Sequence, residues 1–436
     1  MKFHLFLLYF FLFWTGFSQA QKEVSMSLSQ ILDKVFSENL DLKVSEQVFK
    51  EAQGDFRQTH ALLLPSVRVS HTALTTTNPL MAFGFKLNQE RLTPADFDPS
   101  LLNDPEQIET FATRVELMQP LLNLDGYMAR AAAKLKMEAM ELQSLRSREY
   151  MHLGVFQAFK QLELSYKMVE VFAKAKVTAE AHYQLVSDYV TQGLAQEADR
   201  LMVSVRLNEV SSGLAHAERL RINASDRLFT LMNESPGNRM ILPEPNTQNE
   251  IDEVESDKTN LEARKDIQAM KKATLAYHKM YQSTNASLAP RLNAFASYEL
   301  YDTELFQTDA KGYTLGAQLS WDVFDGYKTA GKVQKAKAQY LQAQYKEQAY
   351  LNQSENELRA AERQAADAEN QLALAKLALE HAKEVYRIRE NRFKEGLEKT
   401  TDLLLAETQY VEKELALEQA AFNAELANQF IFFLTR

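Results

Sequence analysis

Two aspartates stand at matching places in the chain. Asp199 lies six residues after Gly193 and Asp402 six residues after Gly396, with an offset of 203 between the pairs. A carboxylate just past a glycine turn falls in the first turn of a helix, where it stabilises the dipole by about 0.3–1 kcal/mol. Its other use, as part of a negative field, depends on what the fold gathers around it. Nothing else has the spacing of a reactive site. The eight histidines are scattered, without metal-ligand spacing. There is no Gly-rich phosphate loop, no Gly-x-Ser-x-Gly elbow and no His-Glu-x-x-His. Cysteine is absent, which excludes a disulfide scaffold, a thiolate metal site, a cysteine nucleophile and a lipid-modified N-terminal cysteine. The residues therefore indicate no enzyme, no metal and no cofactor.

With 49 basic against 59 acidic side chains, the net charge is −10. That balance offers no basic field for nucleic acid. Residues 1–20 have the form of a signal peptide: Lys2, an unbroken apolar stretch over 5–14, then Ser18-Gln19-Ala20 before a cleavage point at Gln21. An amphipathic anchor is the alternative, but 5–14 contains no polar residue. Mean hydropathy is −0.36, and beyond residue 20 no run of about 18 apolar residues marks a membrane-spanning helix.

The ten prolines leave 121–235 and 291–436 without any. Both tracts are rich in Ala, Leu, Gln, Glu and Lys, and the absence of proline is what long helices require. Ala361, Ala368, Ala375 and Ala382 recur every seven residues, alternating with Ala365, Leu372, Leu379, Tyr386 and Phe393. Val155, Phe159, Leu162, Tyr166, Val169 and Ala173 follow the same rhythm. These are coiled-coil seams, one almost all alanine, so that a partner helix approaches closely. Residues 127–192 alone make about 100 Å of helix at 1.5 Å per residue.

The chain also repeats itself. Pro65 aligns with Pro290, Gly126-Tyr127 with Gly326-Tyr327, and Gly193-Leu194 with Gly396-Leu397. The first unit covers 21–235 and the second 261–436, separated by a polar linker at 236–260. Within each unit, only the segment between the proline and Asp-Gly-Tyr alternates as strands do. The expected strands are about 66–76 and 110–120, then 291–301 and 312–323. Their period fits outer-membrane barrel strands, with Tyr298, Tyr313, Trp321 and Phe324 as interfacial aromatics, although a half-buried soluble sheet shows the same alternation. Four strands cannot close a spanning barrel, so the barrel reading demands an oligomer. Asp125-Gly126 and Asp325-Gly326 mark the strand-to-helix junctions, the aspartates as expected N-caps. The first hairpin carries about 25 extra residues, within 75–110, expected as an irregular loop facing outside.

The segment "RFKEGLEKTTDLLLAETQY" (392–410), with a degenerate twin at 189–204, resembles the TolC family of outer-membrane efflux and secretion channels. The resemblance covers essentially the whole mature chain. It implies an α+β membrane protein with long antiparallel coiled-coil helices and four β-strands per chain. Three copies would close a 12-stranded β-barrel continuing into a periplasmic α-helical tunnel. It further implies a passive exit duct in the cell outer membrane, surrounded by its lipid. The duct docks on a periplasmic adaptor (membrane fusion) protein and, through it, an RND-type or ABC-type inner-membrane pump. On the family pattern, Asp402 and Asp199 ring the periplasmic aperture, and Gly193, Leu194, Gly396 and Leu397 form the tips that meet the adaptor. The chain departs from the pattern in two places. Leu405 stands where a second acid is common, and Glu398 where an arginine is expected. Leu405 would then form part of the constriction, with Arg392 and Arg200 as alternative basic partners. The rival reading is an exported coiled-coil scaffold or adaptor-like protein. An adaptor lacks its lipoyl-like domain here, and a scaffold leaves the hairpins and the duplication unexplained.

Overall fold

The structure is a computed structural model that describes residues 22–244 and 261–436, apart from 306 and 309. The expected signal peptide and the linker beyond residue 244 lie outside the described residues. In chain order the elements are β1 (Lys22–Met26), α1 (Leu28–Glu38), α2 (Leu40–Gln58), β2 (Ser66–Thr76), α3 (Pro79–Asn88), α4 (Pro99–Asn103), β3 (Ile108–Leu122), α5 (Leu124–Thr191), α6 (Glu197–Leu231), β4 (Arg239–Pro243), α7 (Lys265–Ala286), β5 (Arg291–Asp302), β6 (Ala310–Ser320), α8 (Lys328–Lys394) and α9 (Thr400–Leu434). They form two compact units, the first from 1–46, 144–265 and 351–436, the second from 47–143 and 266–350.

The first unit is helical. Its main core joins Ile31 and Val35 of α1, Val155, Phe159 and Leu162 of α5, Leu228 and Phe229 of α6, and Ile241 of β4. Val155, Phe159 and Leu162 are wholly buried, as the heptad rhythm of α5 dictates. Along the alanine seam, Ala365 and Ala368 of α8 meet Ala424 and Ala427 of α9. A methyl on each side lets two helices approach without leaving a void. The parallel pair β1–β4 was not foreseen among the four expected strands. Each has five residues, too few for alternation to show, yet β4 buries Met240 and Ile241 inside the segment expected as a polar linker.

The second unit holds a four-stranded antiparallel sheet in the order β2-β3-β5-β6. β6 stops at Ser320, so Trp321 and Val323 lie past its end. The segment after β2 is not irregular. Pro79 and Pro99 open α3 and α4, and Pro94 opens a 3-10 turn. Proline at the first helical position starts a helix rather than breaking one. Lys86 pairs with Asp96 at 2.7 Å, and hydrogen bonds from Lys86 and Thr93 bring the Asp96 carboxyl down to about 2.

The two junctions differ from each other. Asn123, not Asp125, caps α5, its Oδ1 accepting from Gly126 N at 3.1 Å. Asp125 sits inside the first turn and pairs with Arg291. Asp325 does cap, accepting from Thr329 N at 2.9 Å.

Asn39 is a buried cap at the start of α2. Its Oδ1 accepts from Asp41 N at 3.0 Å and its Nδ2 donates to Leu231 O at 2.8 Å. Asn39→Ala removes the cap and leaves the carbonyl unpaired, so a loss of about 1–3 kcal/mol is expected, read as a lower urea midpoint for the detergent-solubilised protein.

Candidate functional site

The register of the sheet sorts its side chains. Val67 faces Leu117, Leu117 faces Ala296, and Ala296 faces Leu315; Val69, Val115, Tyr298 and Tyr313 make the next row. Directly opposed residues share a face, so one face is apolar across these rows, with polar residues such as Thr75, Glu109 and Lys311 only toward its end. Val69, Tyr313, Leu315 and Leu319 on it are each at least 65% exposed, where a half-buried soluble sheet would cover them. The opposite face carries Arg68, Glu116, Ser297 and Thr314 in one row and Ser70, Arg114 and Glu299 in the next. Arg114 and Glu299 pair there at 2.7 Å. An exposed apolar face with a salt-bridged polar face behind it reverses the arrangement of a soluble sheet, which buries its apolar face.

The four expected aromatics fall at two levels. Tyr298 and Tyr313 are register partners on the apolar face. Trp321 and Phe324 follow the other end of β6, both exposed, with Trp321 Nε1 donating to Leu288 O at 3.0 Å. From Tyr313 to Ser320 is seven residues, about 23 Å along the strand at 3.3 Å per residue, or a rise of about 18 Å at the roughly 40° tilt of barrel strands. Strands of 11 to 15 residues suffice to cross a bilayer. Strands β2 and β6 are both open edges, which lipid does not tolerate.

In the first unit, both helix tips are built alike. Gly193 and Gly396 take φ of +73° and +71°. Leu194 N donates to Tyr189 O at 2.8 Å and Leu397 N to Arg392 O at 2.9 Å, the backbone closure that favours glycine at this place. Leu194 and Leu397 are left 72% and 67% exposed. The tips are brought together by Val186, Val203, Phe393 and Leu403, with Tyr189 and Tyr386 around them. Asp199 reaches back to Gln196 N at 3.1 Å. Asp402 is half-buried in the first turn of α9 and makes no ion pair among the described residues. Leu405, one turn on, is exposed. Arg200 pairs with Glu197 at 2.5 Å. Glu398, the departure from the family pattern, is clamped by Arg389 at 2.6 Å and Arg392 at 3.0 Å. Desolvation opposes its ionisation, but the hydrogen bonds from Arg392 and Arg389 prevail and hold it below the usual carboxylate range. Within one protomer, then, Arg200 and Arg392 serve glutamates rather than Asp199 and Asp402.

Behind the tips lies a buried polar knot that the motifs did not reveal. Glu407 accepts from His182 Nδ1 at 2.9 Å and from Arg206 Nε at 3.3 Å, and thereby joins α5, α6 and α9. The Tyr386 ring of α8 lies 6.3 Å from His182 and stacks on Tyr410. Burial, then the nearby Glu390 and Glu407 carboxylates, push the Tyr386 phenol up. The one signal in the sequence is a glutamate at a seam position, four residues after Leu403 and four before Val411.

The second repeat carries a family likeness: residues 258–432 match the outer membrane efflux protein family. No curated protein matches the chain in sequence. The fold is that of solved outer-membrane channels. The Campylobacter jejuni CmeC outer membrane channel superposes with a TM-score of 0.80 at 16% identity, over 94% of this chain and 85% of that one. The outer membrane protein VceC from Vibrio cholerae gives 0.78 at 16%, over 94% and 96%. The open state of the Neisseria gonorrhoeae MtrE channel gives 0.76 at 15%, over 94% and 88%.

The tip geometry generates two predictions. Glu407→Ala takes the acceptor from His182 and leaves Arg206 to the exposed Glu209 at 3.6 Å, and is expected to cost about 1–3 kcal/mol, with Glu407→Gln costing less; thermal unfolding of both variants separates them. For Glu398, a folded-state value lowered from 4.5 means that its ion pairs stabilise the tip fully above that pH and release it as pH falls through the lowered value. The protection factor at Leu397, that is, amide exchange corrected for its intrinsic pH dependence, should therefore fall on acidification in the wild type and be low at both pH values in Glu398→Gln.

Proposed function

We propose that the chain is the outer-membrane exit duct of a tripartite efflux or type I secretion assembly, working as a homotrimer without catalysis. The observation that carries this reading is the sheet, with its exposed apolar face, salt-bridged polar face and two open edges. Pairing β6 of each copy with β2 of the next removes every edge and closes twelve strands in a ring. Lipid then meets the apolar face and water the polar face.

The gate belongs to the periplasmic tips. Asp402 and Asp199, repeated three times about an axis, make a narrow negative bore that favours cations. Leu405 adds an apolar constriction one helical turn away. Arg392 and Arg200 are the nearby cations able to exchange their glutamate partners for these aspartates when the tips shift. The exposed Leu194 and Leu397, held out by Gly193 and Gly396, form the surface on which an adaptor hairpin packs. An RND-type or ABC-type pump supplies the energy through that adaptor.

The reading is tested by single-channel conductance of the purified protein in planar bilayers. A small cation-selective conductance is expected, rising several-fold in Asp199→Ala/Asp402→Ala. Well-folded protein that never inserts overturns the channel reading. Leu397→Asp is expected to abolish pump-dependent efflux while leaving insertion and conductance intact, and unimpaired efflux in that variant refutes the docking surface.

A further inference from the structure

Residues 77–107 form a folded excursion at the end of the sheet away from the long helices. Its helix α3, "PLMAFGFKLN", has apolar residues around its whole circumference, the composition of a buried helix. Yet Leu80 is 82% exposed and Leu87 55%, with Met81, Phe97 and Leu101 also open. The excursion is firmly built. Asn78 caps α3 through Met81 N at 3.2 Å. Gln89, only 4% exposed, donates to Glu109 O at 3.0 Å and to Asp302 O at 3.1 Å, which pins the end of α3 across β3 and β5.

Strand parity decides on which face it lies. Ile108 pairs with Thr76, Thr110 with Leu74, and Ala112 with Thr72 and Tyr301, which in turn pairs with Ala310. Even-numbered residues of β3 share the face of Arg114 and Glu116, the polar one. At the sheet's outer end this face is the more covered one: Ile108, Thr110 and Ala310 are buried, whereas on the apolar face Thr75, Glu109 and Lys311 are exposed and only Asp302, the last residue of β5 opposite Phe111, is buried. Ile108 also lines a 210 Å³ cavity together with Ala82, Phe83, Leu101 and Leu102 of the excursion.

We infer that the excursion folds over the polar face into the barrel mouth, where the apolar α3 segments of three copies meet and form an outer constriction around Leu80 and Leu87. This rests on the trimeric-barrel reading above. Lipid is ruled out as the cover, because it reaches only the opposite face. A second copy is indicated because the excursion springs directly from β2, the open edge at which the neighbouring copy joins.

Since the chain contains no cysteine, Leu80→Cys introduces a unique thiol. In the assembled trimer, its size verified by light scattering, a short bis-maleimide is expected to convert Leu80→Cys into covalent dimers. Tyr313→Cys, on the outward face, should remain uncoupled. Leu80→Asp/Leu87→Asp added to Asp199→Ala/Asp402→Ala should raise conductance about twofold or more, because charge wets an apolar constriction. Trimers that insert and conduct but show neither Leu80→Cys dimers nor a conductance change overturn the mouth constriction and leave the channel standing. A protein that is monomeric throughout overturns both. If the double aspartate variant does not fold, the cross-link alone decides.

Discussion

Everything in the sheet unit follows from the unpaired edges of β2 and β6. Each exposed strand edge presents backbone donors and acceptors that need partners, and in hydrocarbon every unmet one costs several kcal/mol. The apolar row Val69–Val115–Tyr298–Tyr313 asks for lipid, and lipid forbids an open edge. A four-stranded sheet with this face cannot satisfy both demands alone, since it is too narrow to curl back on itself. Symmetric repetition satisfies them at once. The oligomer proposed above is thus the arrangement that meets both demands of the sheet.

The helical unit answers a different constraint, that of packing long helices in thin pairs. A pair has almost no interior, so the seam must be filled without bulk on one side and with bulk on the other. Alanine at 365, 368, 424 and 427 brings α8 and α9 close, while Phe159, Leu162 and Phe229 fill the wider space beside β4. Where a charge enters the seam, as Glu407 does, two helices must each supply a donor, because a half-satisfied buried carboxylate would cost more than an apolar residue in its place.

How much of this was legible in the sequence depended on period. Long, proline-free heptads and the ten-residue alternations announced the coiled coils and the hairpins, because dozens of residues voted for each. The parallel pair β1–β4 escaped, having five residues per strand and a partner more than 200 positions away. The excursion was misjudged because its prolines were counted as breakers, whereas Pro79 and Pro99 stand at helix starts. At the tips, the glycine turns were visible as a repeated motif. The pairing of Glu398 with Arg389 and Arg392 was not, because which charges meet across a turn depends on rotamers and helix phase rather than on spacing.

The duplication adds a last constraint. Asp-Gly-Tyr occurs at 125–127 and 325–327, yet the two copies fold differently. In the first, a Cβ on Gly126 would strike the Asn123 side chain at 2.5 Å, so glycine is needed to admit the Asn123 cap, and Asp125 is released to pair with Arg291. In the second, Gly326 and Tyr327 take φ of +67° and +66°, and Asp325 itself caps the helix that begins at Lys328. A tyrosine in the left-handed region is strained, which an isolated turn would relieve by relaxing. It stands where the chain leaves β6, an edge strand, for α8, whereas the first junction leaves β3, an inner strand. The two copies of one motif thus differ in which residue caps the helix and in the backbone that leads into it.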